Sequence, residues 1–516
     1  MREQTPAGAD SAPDDSLAPE ELHAKTMHGL RWTVIGRPAT QVLLLVSMIV
    51  LARLIPPVEF GRFAVAAIVG SLAGIPIAGV GAALVQRRTV TREHLQAGFA
   101  LALLTGLALA ALTLVAATTI VAPLVDAQTA ELVRFATPLC LIVAAGTVPS
   151  ALLQRRLAIR RLSVVNFIGA LVRVAASIGM ALAGMGALAL VLGVMAGELI
   201  EAGMMWIWAP APPPRLRREP TKELWSYGRP ASLAAASWVG FLNCDYAIVA
   251  ARLGALQAGL YFRAYTMGVE YQKKVSVVMT TVGFPMLART RDAAELSALR
   301  GRMVRLLTTV LFPLLVLLAV EAPVLIPWLY GSRWEAAVVP TQILALGGAA
   351  TLVIDAAGSA LMASGRPRAL QGFGWAHFGA YGVAVLIVAP LGIVAVAVAA
   401  AVVHTLFLLV AYILLLSGSG ERPLHRLWDD VEPAVVCCVA LAAVAVPASL
   451  ALTAAHVEPV PYLAAVSLLG GAGYLLSLRI CFPASLQSLR RFAARLMPGN
   501  PLRVLTRRRL APADTR

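Results

Sequence analysis

The chain has 516 residues, of which 59% are hydrophobic and only 14% charged, with a formal charge of +16 and a mean hydropathy of +0.78. A water-soluble protein of this length carries about 25% charged residues, so too few polar side chains remain to cover a globule. The positive charge does not point to nucleic acid, because no recognition module or aromatic-basic pattern is present and the arginines fall in short gaps between apolar runs.

Residues 1–26 mix Asp, Glu, Pro and Ser without an apolar core; they are expected to form a disordered cytoplasmic tail, not a cleaved signal. A membrane-spanning helix needs about 20 mostly apolar residues. That ruler predicts helices over 33–55, 60–85, 95–121, 133–153, 164–183 and 186–208, a first lobe within 27–208. A cytoplasmic linker over 209–226 contains the run Ala-Pro-Ala-Pro-Pro-Pro-Arg. A second lobe within 227–416 follows, with helices over 227–251, 260–287, 304–330, 335–363, 370–389 and 391–416. Two further helices, 432–454 and 459–480, lie within 417–480, and residues 481–516 form a basic cytoplasmic tail. The expected fold class is all-α: a polytopic membrane protein of about fourteen transmembrane helices, as two six-helix lobes plus two C-terminal helices.

Cations alternate along this ladder. Loops after even-numbered helices hold Arg87, Arg88, Arg92, Arg155, Arg156, Arg160, Arg161, Arg215, Arg217, Arg218 and Lys222, with more at 289–305, 366–368 and 422–426. Loops after odd-numbered helices hold only Arg134, Arg252 and Arg333, with Arg53 and Arg62 at helix edges. The positive-inside rule then places both termini in the cytoplasm.

The two lobes echo each other. Gly36-Arg37-Pro38-Ala39 opens the first helix and Gly228-Arg229-Pro230-Ala231 the seventh; Ala52-Arg53-Leu54 and Ala251-Arg252-Leu253 close them. Gly186 begins the sixth helix as Gly392 begins the twelfth. Six helices repeated once give two lobes of the same orientation, related by an axis along the membrane normal, with a cavity between them. Shared helix-end preferences are the plainer account of such matches.

Ionisable groups inside a membrane are costly and mark pathways or pairs. Arg263, Glu270 and Lys274 share one face of the eighth helix, with Lys273 beside it. Asn166, Arg173 and Ser177 form a polar stripe on the fifth helix, and Thr351, Asp355 and Ser359 another on the tenth. Glu198 and Glu201 lie on the sixth, Asp245 on the seventh, and His377 and His404 near the last core helices. Arg173, Arg263, Lys273 and Lys274 are candidates for holding a phosphate-bearing cargo, since guanidinium and ammonium groups donate to phosphate oxygens. Asp245, Glu270 and Asp355 are candidates for binding the proton or sodium ion that drives transport. Local pairing is the competing account: Glu270 with Lys274 at i, i+4, and Asp245 with Arg263 across the turn between the seventh and eighth helices.

Helix-interior prolines (Pro76, Pro138, Pro149, Pro285, Pro313 and Pro323) can kink or hinge these helices, and are also tolerated routinely in membranes. The five cysteines, Cys140, Cys244, Cys437, Cys438 and Cys481, lie in or beside apolar runs without metal-ligand spacing. Neither a disulfide framework, a metal site nor a cofactor is expected. No nucleotide-binding or hydrolase motif is present, and no outer loop is long enough for a glycan polymerase or ligase domain, so the chain does not read as an enzyme.

Several stretches together resemble a known family. Ala52-Arg53-Leu54-Ile55-Pro56 with Glu59-Phe60-Gly61, the helix end at 79–87, Asp245-Tyr246-Ala247-Ile248-Val249 with Arg252-Leu253-Gly254 and Gly259-Leu260-Tyr261-Phe262-Arg263-Ala264, then Phe284-Pro285 and Tyr330-Gly331-Ser332-Arg333-Trp334, are similar to marks of the bacterial polysaccharide and O-antigen flippases. These form the polysaccharide-export branch of the multidrug/oligosaccharidyl-lipid/polysaccharide (MOP) superfamily. The resemblance spans roughly 28–416. It implies a flippase moving undecaprenyl-pyrophosphate-linked oligosaccharide from the inner to the outer leaflet of the bacterial cell membrane by alternating access. It also implies a polysaccharide polymerase and a chain-length regulator as partners. The acidic N-terminal tail and the Arg-rich C-terminal tail depart from the family pattern; the latter suits anionic lipid headgroups or a partner synthase. A multidrug or lipid II exporter of the same superfamily, a membrane glycan polymerase or ligase, and a non-transporting scaffold are the alternatives.

Overall fold

A computed structural model describes residues 39–270, 293–364, 366–417 and 420–496. Among these residues the chain is helical throughout its ordered elements and contains no strand. Twelve segments are long and apolar enough to cross a membrane. One of them, Arg218–Glu270, breaks at Gly254, whose φ of 83° is left-handed, and a shorter apolar helix, Ala39–Leu54, precedes them all. Among the described residues this makes fourteen apolar helices, counting the broken segment as two and the short first helix, and the chain is a multi-pass membrane protein.

The helices are α1 (Ala39–Leu54), α2 (Pro57–Gln86), α3 (Arg92–Leu124), α4 (Ala127–Arg155), α5 (Ile159–Leu182) and α6 (Ala187–Trp208). Then come α7 (218–253) and α8 (described over 255–270), α9 (Ala293–Tyr330), a 3₁₀ turn at Ser332–Ala337, α10 (Val338–Ala363), α11 (Pro367–Val388) and α12 (Ile393–Leu416). The C-terminal pair is α13 (Pro423–Ala454) and α14 (Pro459–Cys481), followed by α15 (Pro483–Leu496).

Two boundaries differ from the sequence expectation. The linker expected over 209–226 is helical from Arg218, because a first turn with Glu219 and Pro220, where backbone N–H groups have no intrahelical partner, suits a helix N-terminus. The basic tail expected over 481–516 begins with the helix α15, too short and polar for the twenty-residue ruler to register. Leu486 and Leu489 of α15 pack with Phe482 against the core of α13 and α14, while Arg490 and Arg491 are exposed. The N-terminal tail lies outside the described residues.

Two of the named prolines sit at irregularities, Pro149, Pro313 and Pro323 lie inside continuous helices, and Pro285 lies outside the described residues. Pro76 precedes a π turn at Ile77–Gly81, and Pro138 separates the helical stretches Ala127–Ala136 and Leu139–Arg155. Helix ends are closed by side chains. Thr91 caps α3 reciprocally with His94, and Asp126 accepts from Thr129 N at 2.6 Å to cap α4. Arg155 donates to the carbonyl of Leu84 at 3.0 Å, closing the C-terminal end of α2. Gly186 (φ 54°) and Gly392 (φ 102°) supply left-handed turns immediately before α6 and α12.

The chain folds into two compact units of interleaved segments. Unit 1 takes the described residues up to Arg263, with Leu329–Trp334 and Gly374–Val396. Unit 2 takes the described residues of Ala264–Trp328, of Glu335–Phe373 and from Ala397 onward. In unit 1, Leu84, Ala97, Ala102, Val148 and Leu224 form a buried cluster. In unit 2, Val304, Leu352, Ala357, Ala411 and Tyr412 form one core and Cys437, Leu441, Ala445 and Val466 another.

Candidate functional site

The charged residues singled out in the sequence occupy separate settings. Three of the candidate cargo- and ion-binding residues, Asp245, Arg263 and Arg173, lie in unit 1, each with its own partners.

Asp245, on α7, is 1% exposed. The hydroxyls of Tyr381 on α11 and Tyr261 on α8 donate to its Oδ2 at 2.8 and 3.2 Å, and the backbone N–H of Tyr246 donates to Oδ1 at 2.9 Å. Both tyrosines are themselves buried. Gly240 helps α7 approach α11: a methyl there would stand 3.1 Å from the Phe378 ring. The result is a carboxylate surrounded by neutral donors, with no described cation paired to it.

Arg263, at the end of the unit 1 part of α8, is fully buried. Its guanidinium carbon lies 4.9 Å from the centre of the Phe60 ring, 4.7 Å from Tyr330 and 5.3 Å from Trp334, all within cation–π range. Among the described residues none of its three guanidinium nitrogens makes a well-aligned hydrogen bond; the Tyr330 hydroxyl is the polar group beside it. The backbones around it are locked. An added methyl at Gly61 would fall 1.7 Å from the Ala255 carbonyl oxygen, and one at Gly259 would fall 1.9 Å from that of Pro57. Trp334 Nε1 donates to the Ala52 carbonyl at 3.0 Å, Arg53 Nε to Leu329 at 2.8 Å, and Arg333 to Arg53 at 3.3 Å. In this structure three rings enclose Arg263, and the Asp245 carboxylate accepts from the tyrosines.

Arg173, on α5, pairs with Glu198 of α6 at 2.8 Å and lies 3.9 Å from Glu201. Gly169 and Gly197 let the helices come this close: a methyl at Gly169 would meet Glu201 Cγ at 2.2 Å, and one at Gly197 would meet the Gly169 carbonyl oxygen at 2.9 Å. The stripe on α5 is thus an ion triad with the sixth helix.

In unit 2, Glu270 is half-buried at the end of described α8, and Asp355 is half-buried on α10, where the Ser359 hydroxyl donates to its backbone carbonyl at 3.0 Å. Lys273 and Lys274 lie outside the described residues. Among the described residues no group of three or more His, Cys, Asp or Glu could hold a metal ion.

Sequence reasoning missed the second buried arginine. Arg300 of α9 is 2% exposed and meets the fully buried Asp430 of α13 at 3.3 Å. Tyr412 of α12 donates to the same Asp430 oxygen at 3.0 Å and places its ring 5.1 Å from the Arg300 guanidinium. The available signal was Asp429-Asp430 next to an apolar run; nothing local says that one of the two is buried.

The structure shares its fold with the lipid II flippase MurJ in an inward closed conformation, with a TM-score of 0.71 at 12% identity over 89% of this chain and 100% of that one. It likewise resembles an inward-facing multidrug resistance MATE transporter of the MOP superfamily, with a TM-score of 0.60 at 12% identity over 74% of this chain and 96% of that one. The polysaccharide biosynthesis protein family matches residues 50–339, more than half the chain, and the chain belongs to that family. Relatives include the lipopolysaccharide biosynthesis protein WzxC of Escherichia coli, 26% identical over 67% of this chain and 71% of its own length. The teichuronic acid biosynthesis protein TuaB of Bacillus subtilis is 27% identical over 66% and 71%. The succinoglycan biosynthesis transport protein ExoT of Rhizobium meliloti is 28% identical over 63% and 67%.

Proposed function

We propose that this protein is a flippase that moves undecaprenyl-pyrophosphate-linked oligosaccharide from the inner to the outer leaflet of a bacterial cell membrane, by alternating access, for cell-surface polysaccharide synthesis. The family match over 50–339 carries this reading; the transporter fold supports it. Both termini are cytoplasmic, following the distribution of arginines between loops. Arg173, Arg263, Lys273 and Lys274 supply the cations that meet the pyrophosphate. Asp245, with Glu270 and Asp355, binds the driving ion. A polymerase and a chain-length regulator act on the product at the outer face. The protein performs no covalent chemistry of its own.

Deleting the gene in its native host is expected to leave lipid-linked repeat units in the inner leaflet. Restoring the native chain should clear them, and restoring an Asp245→Asn variant should not. Surface polymer of altered chain length, with no build-up of the lipid-linked unit, would instead identify a polymerase.

A further inference from the structure

The aromatic box offers Arg263 a place for its charge and little for its donors. Phe60, Tyr330 and Trp334 present ring faces, which attract a cation, yet a guanidinium carries five N–H donors, and among the described residues no carboxylate and no acceptor in good geometry meets them, the Tyr330 hydroxyl being the polar group beside it. Unpaired buried donors are expensive; Arg300 of unit 2, whose nitrogens also lack well-aligned hydrogen bonds, has the Asp430 carboxylate 3.3 Å away, and Arg263 has no described carboxylate in that place. The box joins three separate stretches of unit 1: Phe60 in the first turn of α2, Arg263 on α8, and Tyr330 with Trp334 around the turn after α9. The same stretches are cinched by the Gly61–Ala255 and Gly259–Pro57 backbone crossings and by Trp334 on Ala52. All three lie beside loops that the charge distribution assigns to the outer side.

We propose that the Arg263 box is an outer latch, in which three aromatic faces hold the guanidinium in place of an anion until a pyrophosphate-bearing lipid takes it from them. Phosphate oxygens provide what the rings lack, acceptors matching the planar fork of donors. With Arg263 drawn out, Phe60, Tyr330 and Trp334 lose their shared centre and the outer end of unit 1 opens. This inference rests on the cargo proposed above for its trigger, while the latch itself rests on the box.

The latch is tested by thiol labelling. Ile55, 1% exposed between Ala52 and Phe60, is replaced by the smaller cysteine. A membrane-impermeant maleimide is applied from outside, and modification at position 55 alone is followed by peptide mass spectrometry. Ile55→Cys is expected to react slowly in the otherwise native chain. Adding Arg263→Gln or Trp334→Leu should speed it by about thirtyfold, the equilibrium equivalent of one desolvated cation–π contact. Arg263→Lys keeps the charge without the planar fork and should fall between, which covers the case that Arg263→Gln fails to insert. Unchanged rates in Arg263→Lys and Trp334→Leu overturn the latch. In proteoliposomes, undecaprenyl pyrophosphate is expected to speed labelling of the Ile55→Cys parent and undecaprenol is not. Variants that open, in a parent indifferent to undecaprenyl pyrophosphate, would overturn the trigger and the proposed cargo together and leave the latch standing.

Discussion

Arg263 in unit 1 and Arg300 in unit 2 are both buried cations against aromatic rings, but their surroundings treat the charge differently. Arg300 has a counter-charge: Asp430 lies 3.3 Å away, Tyr412 donates to the same carboxylate, and a single ring faces the guanidinium. Arg263 has three rings and, among the described residues, no carboxylate; the nitrogens of both arginines lack well-aligned hydrogen bonds, so the counter-charge is what sets them apart. A buried ion pair holds its elements in one arrangement, because separating the partners strands two charges. A cation held only by ring faces can leave whenever a better acceptor arrives. The difference separates a clamp, which fastens α13 to α9 and α12, from a switch.

The largest way to break this comparison is to remove one member of the clamp. Asp430→Ala leaves Arg300 buried and uncompensated, and is expected to cost about 3–5 kcal/mol in thermal unfolding of the purified protein. Arg300→Met combined with Asp430→Leu should recover most of that loss, since apolar replacements of a buried pair are often neutral or stabilising. A double variant as unstable as Asp430→Ala would show that the pair does more than compensate itself. Tyr412→Phe, which keeps the ring over Arg300 but deletes the hydroxyl that reaches Asp430, should cost about 1.5–3 kcal/mol, the range for a hydrogen bond to a charged group. On the unit 1 side, Gly61→Ala would set a methyl against the Ala255 carbonyl oxygen, a backbone atom with little freedom to yield. It should destabilise by about 1–3 kcal/mol, read by the same unfolding measurement.

The spans were legible because each is an uninterrupted apolar run, and hydropathy alone carries that information. What surrounds the charges was not. Arg263 reads as one face of a helix with Glu270 and Lys274, a pattern that suggests a cavity. Its actual neighbours, Phe60, Tyr330 and Trp334, lie in other helices and turns, and periodicity within one helix says nothing of them. They do fall inside the stretches that resemble the flippase family, so the signal was present as motif and silent as geometry. Asp245 was picked out as a candidate, while its donors Tyr261 and Tyr381 were not, because a tyrosine in an apolar helix looks like ordinary packing. Asp430 was hidden further. Its burial depends on Arg300 in a distant helix and on Gly301, where a methyl would stand 2.6 Å from the Asp430 Oδ1. The helix at 218–226 and α15 escaped because a polar or amphipathic helix lacks the continuous apolar run being sought.

The smallest expected effect on stability decides most between clamp and switch. In Arg263→Met, an unbranched apolar side chain fills the space among the rings and removes a buried charge that no described carboxylate balances. If the guanidinium were there to hold unit 1 together, deleting three cation–π interactions would lower stability by several times the roughly 0.5–1 kcal/mol of an exposed one. If it is stored there for use, relief from burying an unpaired charge offsets the missing attraction of the rings, and the unfolding free energy should stay within about 1 kcal/mol of the native protein. Export should nevertheless fail, because methionine cannot exchange the rings for phosphate oxygens. Stability retained with export abolished is the signature of a switch. Export and stability falling together would make Arg263 a second clamp, differing from Arg300 only in using aromatic faces where Arg300 uses a carboxylate.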